Sequence, residues 1–340
     1  MNRVQRPLNA LSIGVALIFS LPGSTFQTAR AQAFTAAVVT SPAGASPLWR
    51  DRGNIGSLDL TFGAGGKEHQ PTGKFTFVKE DMQGSAAKFE VVDDQGTKWK
   101  VKLGEETKSE TAATRLLWAA GYFTDEDYYV AELRVDKMQK LHRGNKLVGA
   151  GGVVRGVRLE RDIKGQKKSG TWSWYKTPMA GTKEMNGLKI MMALMNNWDL
   201  KEVNNAIYVE ANGETHYAIS DLGATFGKTG NYVTRSKSDL ADYRGTKFIQ
   251  KAKSERVDFH LNSRPLFLTV IDVPNYRMRT KMQGIVKDIP RAHAKWLGSL
   301  LGQLSGEQIR DCFRAAGYST AEVDGFAKVV QGRIADLNKL

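Results

Sequence analysis

Three short stretches, "KFTFVKED", "AKFEVVDD" and "TKWKVKLG", alternate apolar and polar positions and are separated by glycine-containing turns. A period of two puts every second side chain on one face of a strand, so these runs predict an antiparallel meander. "SETAATRLLWAAGY" changes to helical spacing, with Ser109 as candidate N-cap and Gly121 as the stop, and "DYYVAELRV" returns to a strand pattern. From about Asp136 to Pro178 the chain is rich in Gly, Lys and Arg; "GAGGVVRGVRLERD" reads as strands, and the tryptophans of "SGTWSWYKTP" alternate as on one strand face. "GTKEMNGLKIMMALMNNWD" is helical, with Leu188, Met191, Met192 and Met195 on one side as a core stripe. Beyond Gly230, "SKSDLADYRGTKFIQKA", "PRAHAKWLGSLLGQL", "SGEQIRDCFRAAG" and "STAEVDGFAKVVQGRIADLNKL" predict mostly helices. The expected class is α+β: a small antiparallel sheet with one helix, followed by a larger, mostly helical part.

The first residues do not join this pattern. Arg3 and Arg6 precede an apolar run from Leu8 to Leu21, followed by small-x-small pairs at Ala29/Ala31 and Ala31/Ala33. A basic start, a short apolar run and small residues are the marks of a secretory signal peptide, expected over 1–33. Residues 34–56 read as a flexible arm of Ala, Ser, Thr, Pro and Gly, and the expected location is periplasmic or secreted. No later run is apolar enough to span a bilayer, so no transmembrane segment is expected in the mature form.

The net charge of +14 favours anionic partners, with solvated strand and helix surfaces as its ordinary alternative. The single cysteine, Cys312, has no disulfide partner within the chain and sits at helical spacing as a small apolar residue. His69, His142, His216, His260 and His293 lack zinc-ligand spacing, and no Gly-x-Ser-x-Gly elbow occurs. The basic residues are not interleaved with aromatics in a binding module, so no nucleic-acid partner is expected.

The segment "NNWDLKEVNNAIYVEANGETHYAISDLG" orders Asp199, Asn204, a hairpin-like polar turn and Asp221. Phosphoryl transfer needs charges in fixed places: a lysine on the phosphates, carboxylate and amide oxygens on a metal, and a base near the acceptor hydroxyl. Magnesium takes one or two carboxylates from the protein and completes its shell with water and phosphate. An Asp and Asn in one loop, with a second Asp at a strand end, have the composition for that task.

"DLKEVN", "AIYV", a turn, "HYAIS" and "DLG" resemble the catalytic and metal-binding segments of the protein-kinase-like superfamily, in its atypical and lipid-kinase branches. The resemblance covers roughly Lys74 to Leu240 and implies a two-lobed fold, with an N-lobe over 57–135 and a C-lobe over 136–340. It implies ATP with Mg or Mn as cofactors, a nucleotide partner and a hydroxyl acceptor whose nature stays open, as does the oligomeric state. Carried over, Asp199 is the base, Asn204 and Asp221 hold the metal, and Asn205 is the alternative if the register slips by one. "WKVK" resembles the strand whose last lysine, Lys102, contacts the phosphates, and Glu110 takes the place of its helix partner. Lys100 competes with Lys102 for that role; Glu105 and Glu106 are weaker alternatives to Glu110. Glu132 to Arg134 would lie near the segment joining the lobes, where backbone groups bind adenine.

The chain also departs from the family's pattern. "NNW" stands where His-Arg is usual before the base, no Ala-Pro-Glu signature follows Asp221, and the loop expected over the nucleotide has Gly84 alone. These departures point to an atypical branch or to a fold that has lost its reaction. "GATFGKTG" lacks phosphate-loop spacing and reads as the start of the activation-segment equivalent, with Thr225, Lys228 and Thr229 as contacts to acceptor or phosphate.

Overall fold

In a computed structural model of the protein, residues 46–229, 235–261 and 268–340 are described; the expected signal peptide lies outside them. The described elements are β1 (Phe75–Asp81), β2 (Lys88–Asp93), β3 (Lys98–Lys102), α1 (Glu106–Ala119), β4 (Asp127–Asp136), β5 (Val153–Arg161), β6 (Lys167–Gly170) and α2 (Lys183–Leu194). They continue with β7 (Asn205–Val209), β8 (Thr215–Ile219), α3 (Leu240–Gly245), β9 (Ile249–Ala252), β10 (Arg256–Phe259), α4 (Leu268–Ile271), α5 (Val273–Ile285), β11 (Ile289–Pro290), α6 (Arg291–Leu301), α7 (Gly306–Arg314) and α8 (Thr320–Asn338). The α+β class is as the sequence predicts.

The period-two runs become β1, β2 and β3, antiparallel neighbours in a closed barrel ordered β1-β2-β3-β5-β4. Phe89 and Val91 of β2 and Trp99 and Val101 of β3 fill its interior. The β2–β3 turn is fixed by Asp93, whose carboxylate accepts from the amides of Gln95 and Thr97 and from Trp99 Nε1. β5 lies between β3 and β4. The expected division between residues 135 and 136 therefore falls inside the barrel, within β4 itself, and the barrel extends to Arg161.

Helix α1 begins three residues before the expected cap. Gly104, at φ 95°, turns the chain out of β3, and Ser109 sits inside the helix with its hydroxyl donating to Glu106 O and Gly223 O. Most of α1, including its polar Thr107, Ser109, Glu110, Thr111 and Arg115, is buried. Its apolar residues Ala112, Leu116 and Leu117 join the larger core, which gathers α2, α6, α7 and α8. The methionine stripe of α2 is wholly inside that core, as are Trp172 and Trp174, packed edge to face at 4.8 Å. Cys312 is buried there too, its thiol pushed to a high pKa by burial.

Two expectations are corrected. "SKSDLADYRGTKFIQKA" is helical only at α3; beyond Gly245 the backbone of Ile249–Ala252 forms β9 and pairs with β10, a long-range partner that local spacing does not announce. The described end of the expected flexible arm is packed instead: Leu48 and Ile55 are buried, and Trp49 donates from Nε1 to Ala120 O at 2.7 Å. No helix among the described residues is long and apolar enough to cross a membrane.

Candidate active site

The last residue of β3, Lys102, is buried where β3 runs beside β2 and β5, with Lys88 and Arg158 as its cross-strand partners. Helix α1 presents Glu106 and Glu110 one turn apart on the same face. Lys102 Nζ lies 2.6 Å from Glu106, 2.9 Å from Glu110 and 3.5 Å from Asp221. Glu110 also meets Arg158 Nε at 3.2 Å, and the same guanidinium reaches Asp127 and Glu160. A buried ammonium and a buried guanidinium thus serve five carboxylates.

The charges shift one another. Burial disfavours the charged form of Lys102, but Glu110, Asp221 and Glu106 outweigh it and push its pKa up. Burial opposes ionisation of Glu106, yet Lys102 and Lys237 bring its carboxyl down to about 2. Burial pushes Glu110 up to about 7, even with Arg158 and Lys102 pulling it down.

Asp221 follows β8, and its Oδ1 accepts from Gly223 N at 3.2 Å. The Asp-Leu-Gly segment is fastened to α1 by Leu222 N donating to Glu110 and by Ser109 Oγ donating to Gly223 O. A Cβ on Gly223 would fall 2.6 Å from a Glu106 oxygen, so glycine is required by the close approach rather than by its torsion. On the other strand end, Ser220 N donates to Asn204 O at 2.8 Å, which draws the Asp199–Asn204 loop against Asp221. Asn204 Nδ2 donates to Asp199 O at 2.7 Å, leaving its Oδ1 as the atom available to a cation. Asp199 itself pairs with Lys201 at 2.9 Å.

A cavity of about 500 Å³ is lined by Gly84, Lys102, Glu110, Asn204 and Asp221, among others. Gly84 occupies the left-handed region at φ 66° in the β1–β2 turn, which Arg143 holds by donating to Asp81 O and Gly84 O. The oxygens of Asp221 and Asn204 in one cavity, with the Lys102 ammonium 3.5 Å from Asp221, are the hard donors that suit a magnesium- or manganese-type cation whose remaining ligands are phosphate and water. Among the described residues no group of three or more His, Cys, Asp or Glu side chains could hold a metal ion by itself.

Other expected site residues lie elsewhere. Asp199 is outside the cavity lining, one loop away through Asn204. Glu132 is on the outer face of β4, paired with Arg155 at 2.9 Å, because the alternation along β4 turns it to solvent. Asn205 is buried and donates to Trp172 O, a structural task. Lys100 lines the cavity but pairs with Glu160 at 2.8 Å, while Glu105 stands outside the start of α1. Thr225 and Thr229 are buried, and Lys228 pairs with Asp242 at 2.6 Å. Sequence reasoning passed over Arg158 and Glu160, although their spacing of two in "VRLER" puts both on one strand face.

No protein-family model and no curated protein matches the chain. The chain is similar to kinases of known structure. The proinflammatory kinase CtkA of Helicobacter pylori shares 11% identity over 79% of this chain and 97% of its own, with a TM-score of 0.45. The Golgi casein kinase shares 11% identity over 78% of this chain and 73% of its own, with a TM-score of 0.36. The Rio2 kinase of Chaetomium thermophilum, in its ADP/Mg2+-phosphoaspartate complex, shares 11% over 77% and 72%, with a TM-score of 0.28. What the site can do follows from its own geometry.

Proposed function

We propose that the protein is an atypical, two-lobed kinase-like phosphotransferase, acting outside the cytoplasm, that moves a phosphoryl group from ATP with Mg or Mn to a hydroxyl acceptor. The observation that carries this reading is that Lys102, Glu110, Asn204 and Asp221, from four separate segments, line one cavity. Lys102, held by Glu110, presents a fixed positive charge to the donor phosphates. Asp221 and Asn204 would hold the cation, which when bound neutralises charge developing on the phosphates. The Asp199 carboxylate takes the acceptor's proton as the hydroxyl oxygen attacks the terminal phosphorus and the bond to the leaving phosphate breaks.

The engagement of Asp199 by Lys201, and of Lys102 by three carboxylates, favours one alternative: an inactive kinase-like scaffold that binds an anionic partner. Calorimetric titration of the purified protein with ATP, with and without Mg or Mn, separates the two when run beside Lys102→Ala and Asp221→Ala. Metal-dependent binding lost in both variants, with transfer reduced by about 10³-fold or more in Asp221→Ala, is the expected result. A folded protein that binds metal-ATP but transfers no phosphate to protein, lipid, sugar or water supports the scaffold. Absence of binding sinks the phosphotransferase.

A further inference from the structure

A cavity that reads a nucleobase needs flat apolar faces: ligand pockets are mostly apolar, and stacking a base is worth about 1–3 kcal/mol. The cavity around Lys102 is built otherwise. Among the described residues Val203 is its one aliphatic lining side chain, and it is 69% exposed at the rim. Tyr208 is the one aromatic, with its hydroxyl held by Asp125 at 3.0 Å.

Lysines take the place of apolar faces. Lys88 on β2 stands opposite Lys102 on β3, Lys100 lies two residues along the same strand face, and Lys168 enters from β6. Two residues of strand advance about 6.6 Å, so their ammonium groups recur along the cavity on the scale of a few phosphates. The acidic side chain beside Lys100 is neutralised twice over, Glu160 meeting Lys100 at 2.8 Å and Arg158 at 3.0 Å. A base entering beyond Lys102 would bury against that ion pair and strip its water for no compensating contact. A phosphate chain instead meets ammonium groups, Lys88 paired with Asp81 at 3.4 Å, Lys100 with Glu160, and Lys168 with no carboxylate within ion-pair reach among the described residues.

We infer that the site reads its donor as a phosphate chain and leaves the base unread, so that inorganic polyphosphate is a donor class for the reaction. The inference rests on the phosphotransferase reading above. The acceptor's hydroxyl oxygen bonds to the terminal phosphorus while the bond from that phosphorus to the bridging oxygen breaks. The electron pair leaves with the chain shortened by one phosphate, and the hydroxyl proton passes to Asp199.

Calorimetry on the full chain in excess Mg2+ compares inorganic tripolyphosphate, ATP and GTP, with adenosine as a competitor. The three phosphate ligands are expected to bind within about threefold of one another, and adenosine is expected not to displace them. Lys100→Ala should weaken all three by about fivefold or more, and Lys168→Ala, at an exposed position, carries the same expectation should Lys100→Ala fail to fold. ATP binding more than about tenfold tighter than tripolyphosphate, displacement by adenosine, or unchanged affinity in both variants overturns the inference and leaves an ATP-dependent phosphotransferase standing. If none of the three binds, the phosphotransferase reading falls with it.

Discussion

Two ion-pair systems join β4 to β5 along the same ladder, both pointing out of the barrel, one covered by α1 and one open to solvent. In the inner, covered system Arg158 bridges Asp127, Glu160 and Glu110, its side chain 3% exposed; in the outer pair Arg155 meets Glu132 at 2.9 Å, its side chain 72% exposed. The residue types are alike and the strands are the same, so only burial separates them. A buried ion pair recovers its desolvation cost only with full hydrogen bonding, and similarly shaped apolar residues often serve stability as well or better. The inner system is therefore better understood as holding Glu110, and through it Lys102, in place than as a source of stability. The outer pair has no such duty.

The strongest way to break this contrast is Arg158→Met. Removing the guanidinium leaves Asp127, Glu160 and Glu110 without their shared partner in the interior, and a loss of about 3–5 kcal/mol in urea unfolding is expected. Donor affinity should fall in the fraction that stays folded, because Glu110 then has Lys102 as its remaining cation. Arg158→Lys sharpens the point. One ammonium cannot reproduce a planar fork that spans three carboxylates, so this substitution should still cost about 1–3 kcal/mol. Stability within experimental error of the wild type in both variants would show that the inner network is no more demanding than the outer pair.

The pH dependence tests the same network without truncating it. Glu160, opposed by burial but drawn down by Arg158 and Lys100, has its carboxyl at about 2, and Glu106 is likewise at about 2. Their folded values lie below the unfolded value of 4.5, so their contribution is present above pH 4.5 and is lost as pH falls toward 2. Glu110 has the opposite sign. Its folded value of about 7 lies above 4.5, so its contribution is complete below pH 4.5 and is lost as pH rises through 7. The unfolding midpoint should fall on both sides of an intermediate maximum, and Glu110→Gln should lessen the decline between pH 4.5 and 7 while keeping the acid one, the remainder belonging to Asp125 and Asp127, whose carboxyls burial also pushes up. A wild-type profile that is flat from pH 4.5 to 8 would contradict this account.

The contrast also explains how far the sequence could be read. Lys102 and Glu110 are legible because a period-two strand and a helix follow each other within a few residues, and Asn204 and Asp221 because a loop and a hairpin fix their separation. Arg158 and Asp127 are 31 residues apart, and their meeting depends on the β4–β5 register, which no local pattern announces. The same dependence put the expected domain division inside the barrel, since β5 inserts between β3 and β4 after a glycine-rich connection. Ser109 has the chemistry of an N-cap, yet the turn at Gly104 starts the helix earlier, and tertiary packing turns the hydroxyl toward Gly223. Glu132 was expected near a bound base through the family resemblance, whereas the β4 alternation leaves it outside.

The smallest expected effect completes the comparison. Glu132→Ala removes one partner of an exposed pair, each group already well hydrated, so the change in unfolding free energy should stay below about 1 kcal/mol. High salt should diminish even that, since screening acts on solvent-facing charges over a Debye length of about 10 Å at 0.1 M. Donor affinity measured by the same titration should not move, because neither Glu132 nor Arg155 lines the cavity. If Glu132→Ala weakened nucleotide binding, adenine would be reaching the outer edge of β4, and burial would no longer be what separates the two ion-pair systems.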